Sequence, residues 1–121
     1  MRHHDHNRTL SRTRRGRTAL LRGLALSLVT HGKLTTTEAK AKELRPFFER
    51  LITYAKKGLA QKDTVNARRL ISSRLGEPAA SAVQRFFAKA SEYGDRAGGY
   101  TRIVKTGPSS AGRREAVIEL V

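Results

Sequence analysis

Apolar residues recur at three- and four-residue steps in four stretches of this chain and alternate with polar ones in two. Leu20, Leu21, Leu24, Leu28 and Val29 share one helical face, predicting a helix that begins near Ser11. Gly32, directly after His31, suits a left-handed stop. Leu34 to Thr36 is short and β-prone and predicts a strand. Thr35 and Glu38 have the spacing of a capping box, so Thr35 to Thr37 would open a second helix. That helix shows Leu44, Phe47, Phe48, Leu51, Ile52 and Ala55 on one face. Pro46 lies within it and predicts a bend near Arg45 or two shorter helices, with Gly58 as the end. Asp63 or Thr64 caps a third helix carrying Val65, Leu70 and Ile71, which Gly76 ends. Pro78 suits the first turn of a fourth, with Ala82, Val83, Phe86, Phe87 and Ala90 inside and Gly94 closing it.

The tail changes period. "GYTRIVKTG" and "REAVIELV" alternate and are rich in β-branched residues, and "GPSSAGR" joins them as a loop. They predict a β-hairpin with a longish connection. The order arm-α-β-α-α-α-β-β is that of an α+β fold, two-layer α/β, with a small mixed three-stranded sheet covered by helices. Residues 1–10 have no apolar period and predict an extended basic arm. Residues 11–121 predict a single globular domain ending in the hairpin. A chain of 121 residues is long enough to bury roughly two-thirds of its unfolded surface.

Charge changes the picture from fold to partner. The net charge is +15, with a pI near 11.4, and such a field calls for a polyanion. Residues 1–33 carry eight Lys/Arg against one acid, so the first quarter holds nearly half the surplus. "RTLSRTRRGRT", Arg8 to Thr18, has five arginines and no acid, and Asp5 is the only acid before Glu38. A solvated helix face offsets its cations with acids at i,i+4, which this segment lacks. Lys33 is the only lysine among the first 33 residues. Guanidinium forks onto phosphate oxygens and stacks on bases as an ammonium cannot. Arg8, Arg12, Arg14, Arg15 and Arg17 are therefore the strongest RNA candidates, fanned around an arm and the first helical turns. Lys40, Lys42, Arg45 and Arg50 have Glu38, Glu43 and Glu49 nearby and read as a paired, solvated face.

Several function classes fall away. The chain has no cysteine, hence no disulfide or thiolate metal site. No run of 18 apolar residues is present, so no membrane span is expected. "ALLRGLALSLV" is interrupted by Arg22 and is not followed by a small-residue cleavage site. An Arg-rich, acid-poor start is also a mitochondrial transit feature, a minor reading because the segment runs straight into folded pattern. His3, His4 and His6 with Asp5 lack the spacing of a closed zinc centre, and the histidines are assigned to bases or phosphates, with no metal. "RAGGYTR", 96–102, reads two ways: a turn into a strand with Tyr100 packed, or glycines admitting phosphate between Arg96 and Arg102 with Tyr100 stacking. Phe47, Phe48, Phe86 and Phe87 read as core. Neither Ser72 and Ser73 nor Ser109 and Ser110 combine with the scattered histidines into a nucleophile and base. An enzyme, a cofactor and a small-molecule substrate are not expected. An architectural DNA-binding protein would share the charge; the missing dimer signature and the long acid-poor arm favour RNA.

"RTLSR" at 8–12, "RTALLRGLALSLVTHGKLTTT" at 17–37, "AKELRP" at 41–46, "LITYAKKG" at 51–58, "RAGGYTRIVK" at 96–105 and the terminal "AVIELV" follow an initial "MRH". Taken in order, they resemble the bacterial large-subunit ribosomal protein L17 family from residue 1 to 121. The resemblance implies a structural constituent of the large ribosomal subunit that binds its ribosomal RNA. It also implies a place near the outer rim of the polypeptide exit tunnel, packed against neighbouring ribosomal proteins. The compartment implied is the cytoplasm, within the ribosome, with an organellar ribosome as the alternative. The family fold, one short strand after the first helix and two at the C-terminus, agrees with the order read from periodicity. Candidate RNA contacts are Arg2, His3, His4, Arg8, Arg12, Arg14, Arg15, Arg17, Arg22, His31, Lys33, Arg96, Tyr100, Arg102, Lys105, Arg113 and Arg114. His31 reads equally as a helix-terminal cap. The chain departs from the family pattern at Gly23, where Asn is usual, at Gly32, where an acid is common, and in the more basic loop "TGPSSAGRRE".

Overall fold

Thr13 opens the first helix because its side chain accepts the Gly16 N–H, satisfying an otherwise orphaned donor. The computed structural model describes residues 8–108 and 112–121. Helix α1 spans Arg14–His31 and stops at Gly32, whose φ of 82° lets its N–H close onto the Leu28 carbonyl. The chain reaches α1 through a turn at Leu10 and Ser11, both with positive φ, so helix starts three residues later than periodicity suggests.

Strand β1, Lys33–Thr37, leads directly into α2, Glu38–Ala60. The α2 cap is Thr37, which accepts the Lys40 N–H; Thr35 is paired in the sheet with Val117, so the expected Thr35–Glu38 box does not form. Helix α2 runs unbroken through Pro46. Leu44 and Phe48, both fully buried, flank the proline and hold the helix on the core across it. Gly58 does not end α2 either. A methyl there would collide with the Ala67 Cβ and lie 3.3 Å from the Asp63 carbonyl oxygen, so glycine serves close packing of the next helix.

Helix α3, Thr64–Arg74, buries Ala67 and Ile71, while Val65 and Leu70 are exposed. The buried i,i+4 pair, not the larger aliphatics, sets its inward face. Helix α4 spans Ala80–Tyr93, with Pro78 lying just ahead of it. Phe86 and Phe48 meet at 5.3 Å between ring centroids, at the centre of a core that also holds Leu28, Leu51, Ile52, Ile71 and Ile118.

Strands β2, Thr101–Pro108, and β3, Arg114–Leu120, form the predicted hairpin, and the sheet order is β1-β3-β2. All pairings are antiparallel, which corrects the expectation of a mixed sheet. The cause lies beside α1: the Leu120 N–H donates to the Gly32 carbonyl at 2.9 Å, so β1 begins where β3 ends and runs against it. Ala116 and Ile118 of β3 face inward with no exposure, while Thr35 and Val104 stand on the opposite, open face. A bulge between Lys105 and Gly107 leaves Thr106 as the extra residue.

Candidate nucleic-acid interface

Helix α1 opens with Arg14, Arg15 and Arg17 and has no acid in its first turn. The partial positive charge of a helix N-terminus favours acids there, so three arginines, with Arg12 just before the Thr13 cap, work against the dipole. None of these four makes an ion pair among the described residues. Arg12, Arg14 and Arg15 are exposed and Arg17 is half-buried. An external anion relieves both the mutual repulsion and the dipole conflict.

Two grooves carry the charge away from α1. Arg17 and Arg50 line one between α1 and α2, with Glu43, Pro46 and Phe47. The other, about 370 Å³ at the start of α2, gathers Arg8, Lys42, Arg113 and Arg114 around Glu38. Lys105 joins it from β2, 3.6 Å from the Glu38 carboxylate. Residues more than a hundred positions apart thus meet beside one acid. The Lys42 ammonium, at 2.8 Å from Glu38, holds that carboxyl below the usual carboxylate range; partial burial opposes the effect and Lys105 reinforces it.

Several sequence candidates are engaged inside the chain. Arg8 corrects most directly the expectation that the leading arginines find their counter-charge only outside the chain. Its backbone N–H and Nη1 both donate to the buried Glu43 carboxylate, at 3.3 and 3.2 Å. Arg22 Nε donates to the Arg74 carbonyl at 2.9 Å, tying α1 to the end of α3. Arg102 bridges across the sheet to Glu119, its registered partner, with Nε at 2.8 Å. Lys33 is exposed at the start of β1, in register with the same Glu119. Arg96 Nε donates to the carbonyls of Gly98 and Gly99, so it shapes its own loop.

Tyr100 is 3% exposed and cannot stack on a base, which corrects its place among the RNA contacts. Its ring packs on Tyr93 at 4.9 Å between centroids. The Lys56 ammonium lies 5.1 Å from the ring centroid. The Tyr100 hydroxyl donates to the Arg96 carbonyl and accepts from Lys56, and its backbone N–H donates to Glu49 at 2.7 Å. His31 closes α1, exposed, where a helix-terminal role is available. Arg2, His3, His4 and the neighbouring Asp5 and His6 lie outside the described residues.

Sequence reasoning passed over Lys42 and Arg50, which line the grooves, and Arg68, Arg69 and Arg74 of α3. The signal for the last three was present: "ARRLISSR" is a second acid-free basic run. Among the described residues no helix is long and apolar enough to cross a membrane, and no group of three His, Asp or Glu is gathered as for a metal.

The model of the family "Ribosomal protein L17" matches residues 20–121. A large ribosomal subunit protein bL17 of Gemmatimonas aurantiaca is 48% identical over the whole of this chain and 98% of its own length. The bL17 of Sphingopyxis alaskensis is 48% identical over all of this chain and 84% of its own. That of Persephonella marina is 42% identical, covering 100% and 95% respectively. With a match that runs from within α1 to the end of β3 and relatives that cover the whole of this chain, the chain belongs to the ribosomal protein L17 family.

Proposed function

We propose that this chain is a structural constituent of the large ribosomal subunit that binds ribosomal RNA through its basic N-terminal arm, residues 1–10, and the start of α1. The folded unit of residues 11–121 positions that arm. The observation that carries the reading is the set Arg12, Arg14, Arg15 and Arg17, crowded at a helix N-terminus and making no ion pair among the described residues. Phosphates supply the missing charge, and guanidinium binds them in bidentate fashion. The basic groove at the start of α2 extends the contact toward Arg113 and Arg114. Backbone and shape recognition dominate over base reading, as suits arginines fanned around a helix rather than aligned in one stripe. The family resemblance supports a position near the exit-tunnel rim of a cytoplasmic ribosome, beside other ribosomal proteins. The relatives are ribosomal proteins rather than enzymes, and a structural role without catalysis is the matching proposal.

The test is filter binding of the full chain to transcribed large-subunit ribosomal RNA across a salt series, with duplex DNA as competitor. Arg14→Ala/Arg15→Ala should reduce the salt slope by about 0.7–0.9 per arginine. An unchanged slope, preference for duplex DNA, or failure of the chain to co-sediment with large subunits would refute the proposal.

A further inference from the structure

Helix α3 carries Arg68, Arg69 and Arg74, and none of them makes an ion pair among the described residues. Beside it, against the start of α4, lies an open groove of about 420 Å³. That volume suits a nucleotide-sized ligand. Pro78, Ala80 and Val83 supply its apolar lining, and Arg68, Arg69 and Ser73 line it with cationic and hydroxyl groups.

Arg68 is already positioned for use. Its guanidinium carbon sits 4.8 Å from the Phe87 ring centroid and its Nη2 donates to Gln84 Oε1 at 2.6 Å. An arginine held this way loses little rotamer freedom when it meets a phosphate. Arg69 and Ser73 are exposed beside it. The carboxylate in the lining is Glu77, against two arginines in the same lining and a third, Arg74, at the helix end.

We propose that the α3–α4 groove is a second RNA contact, taking one unstacked nucleotide of the RNA that α1 binds. The phosphate lies against Arg68, Arg69 and the serine hydroxyl, and the base lies against the apolar lining. The proposal rests on the RNA-binding reading of α1. Charge decides the occupant: a lining both cationic and apolar matches a phosphodiester joined to a splayed base, whereas a purely apolar peptide would leave the arginines uncompensated. The Arg22 bond to the Arg74 carbonyl fixes α1 to the end of α3, so the two contacts keep a constant spacing. Binding at one then raises the effective concentration at the other.

The experiment uses the full chain and transcribed large-subunit ribosomal RNA, with two groove variants at exposed positions. Arg69→Ala should lower the salt slope by about 0.7, the value for a single-strand phosphate contact. Ala80→Leu adds bulk to the apolar lining without changing charge and should weaken binding about fivefold at unchanged slope. Ultraviolet cross-linking should give nucleotide adducts on peptides covering residues 64–83. Wild-type affinity and slope in both variants, with no such adducts, overturns the proposal. If Arg14→Ala/Arg15→Ala loses slope in that same series, the α1 reading survives and the groove serves another partner. If that variant too is unchanged, the RNA reading and the groove fall together.

Discussion

The carboxylate of Glu43, 8% exposed, accepts two hydrogen bonds from Arg8, thirty-five residues earlier, both on Oε2. The Arg8 side chain is 43% exposed, so the ion pair alone is screened and weak. The vulnerable partner is the buried carboxylate, which loses a charged donor when Arg8 is removed. Arg8→Ala should therefore cost about 1–2 kcal/mol in urea unfolding without RNA present. Glu43→Gln, which keeps an acceptor, should cost less. Removing residues 1–10 should lower stability by as much as Arg8→Ala. A melting curve unmoved by Arg8→Ala would show that Arg8 has no structural share.

Tyr100 gathers α2, α4 and the start of the sheet onto one residue, through its hydroxyl and its backbone N–H and carbonyl. Tyr100→Phe keeps the ring contacts with Tyr93 and Lys56 and removes one donor and one acceptor. We expect a loss of about 1 kcal/mol, or roughly 4 °C in melting temperature for a chain of this size. RNA affinity and its salt slope should stay at wild-type values. A weakened RNA complex with unchanged stability would restore the stacking role that its burial excludes.

What was legible in the sequence was what local rules decide. The stop at Gly32, the aromatic faces of α2 and α4 and the terminal hairpin each follow from period or turn chemistry within a few residues. What escaped depends on partners far along the chain. Arg8 looks free until α2 folds Glu43 beneath it, and Pro46 looks like a break until Leu44 and Phe48 anchor both sides. Gly58 resembles a helix end, but its role is set by Ala67 on another helix. In α3 the small Ala67 faces inward while Val65 and Leu70 do not, a choice made by the close approach of α2 and not by hydrophobicity. The α1 arginines were legible because no acid anywhere near them in sequence competes for them.

Glu38 links stability to pH. Its carboxyl titrates below its ordinary value, first because Lys42 hydrogen-bonds it and further because Lys105 lies close, with desolvation opposing. A depressed folded pKa favours the ionised form in the native state. Its contribution is present above the unfolded value near pH 4.3 and disappears as pH falls through the lower folded value. Wild type and Glu38→Gln should therefore differ in urea midpoint at pH 7 and converge as pH falls through the lowered folded value. Lys42→Met should shrink the pH 7 difference. A gap between wild type and Glu38→Gln that stayed undiminished across the whole acid titration would assign the effect to packing.

Two helical glycines should respond to the same substitution with opposite signs. Gly23 is exposed on α1 and a methyl placed there meets nothing within 4 Å. Gly23→Ala should stabilise the chain by about 0.5–1 kcal/mol, because alanine loses less backbone freedom on forming helix. Gly58 is buried, and its methyl would collide with the Ala67 Cβ, 3.8 Å from Phe87 Cε1 and 3.3 Å from the Asp63 carbonyl. The Asp63 N–H also donates to the Gly58 carbonyl at 2.9 Å, so the α2–α3 turn cannot open without losing that bond. Helix propensity alone favours alanine at both sites, whereas overpacking at Gly58 costs about 1–3 kcal/mol and should win. Urea unfolding of the two single variants checks the signs. The decisive variant is Gly58→Ala/Ala67→Gly, which moves the methyl from one helix to the other. It should recover part of the loss, giving a favourable coupling energy between sites nine residues apart. Strict additivity in that cycle would mean that the two Cβ positions do not compete for the same space.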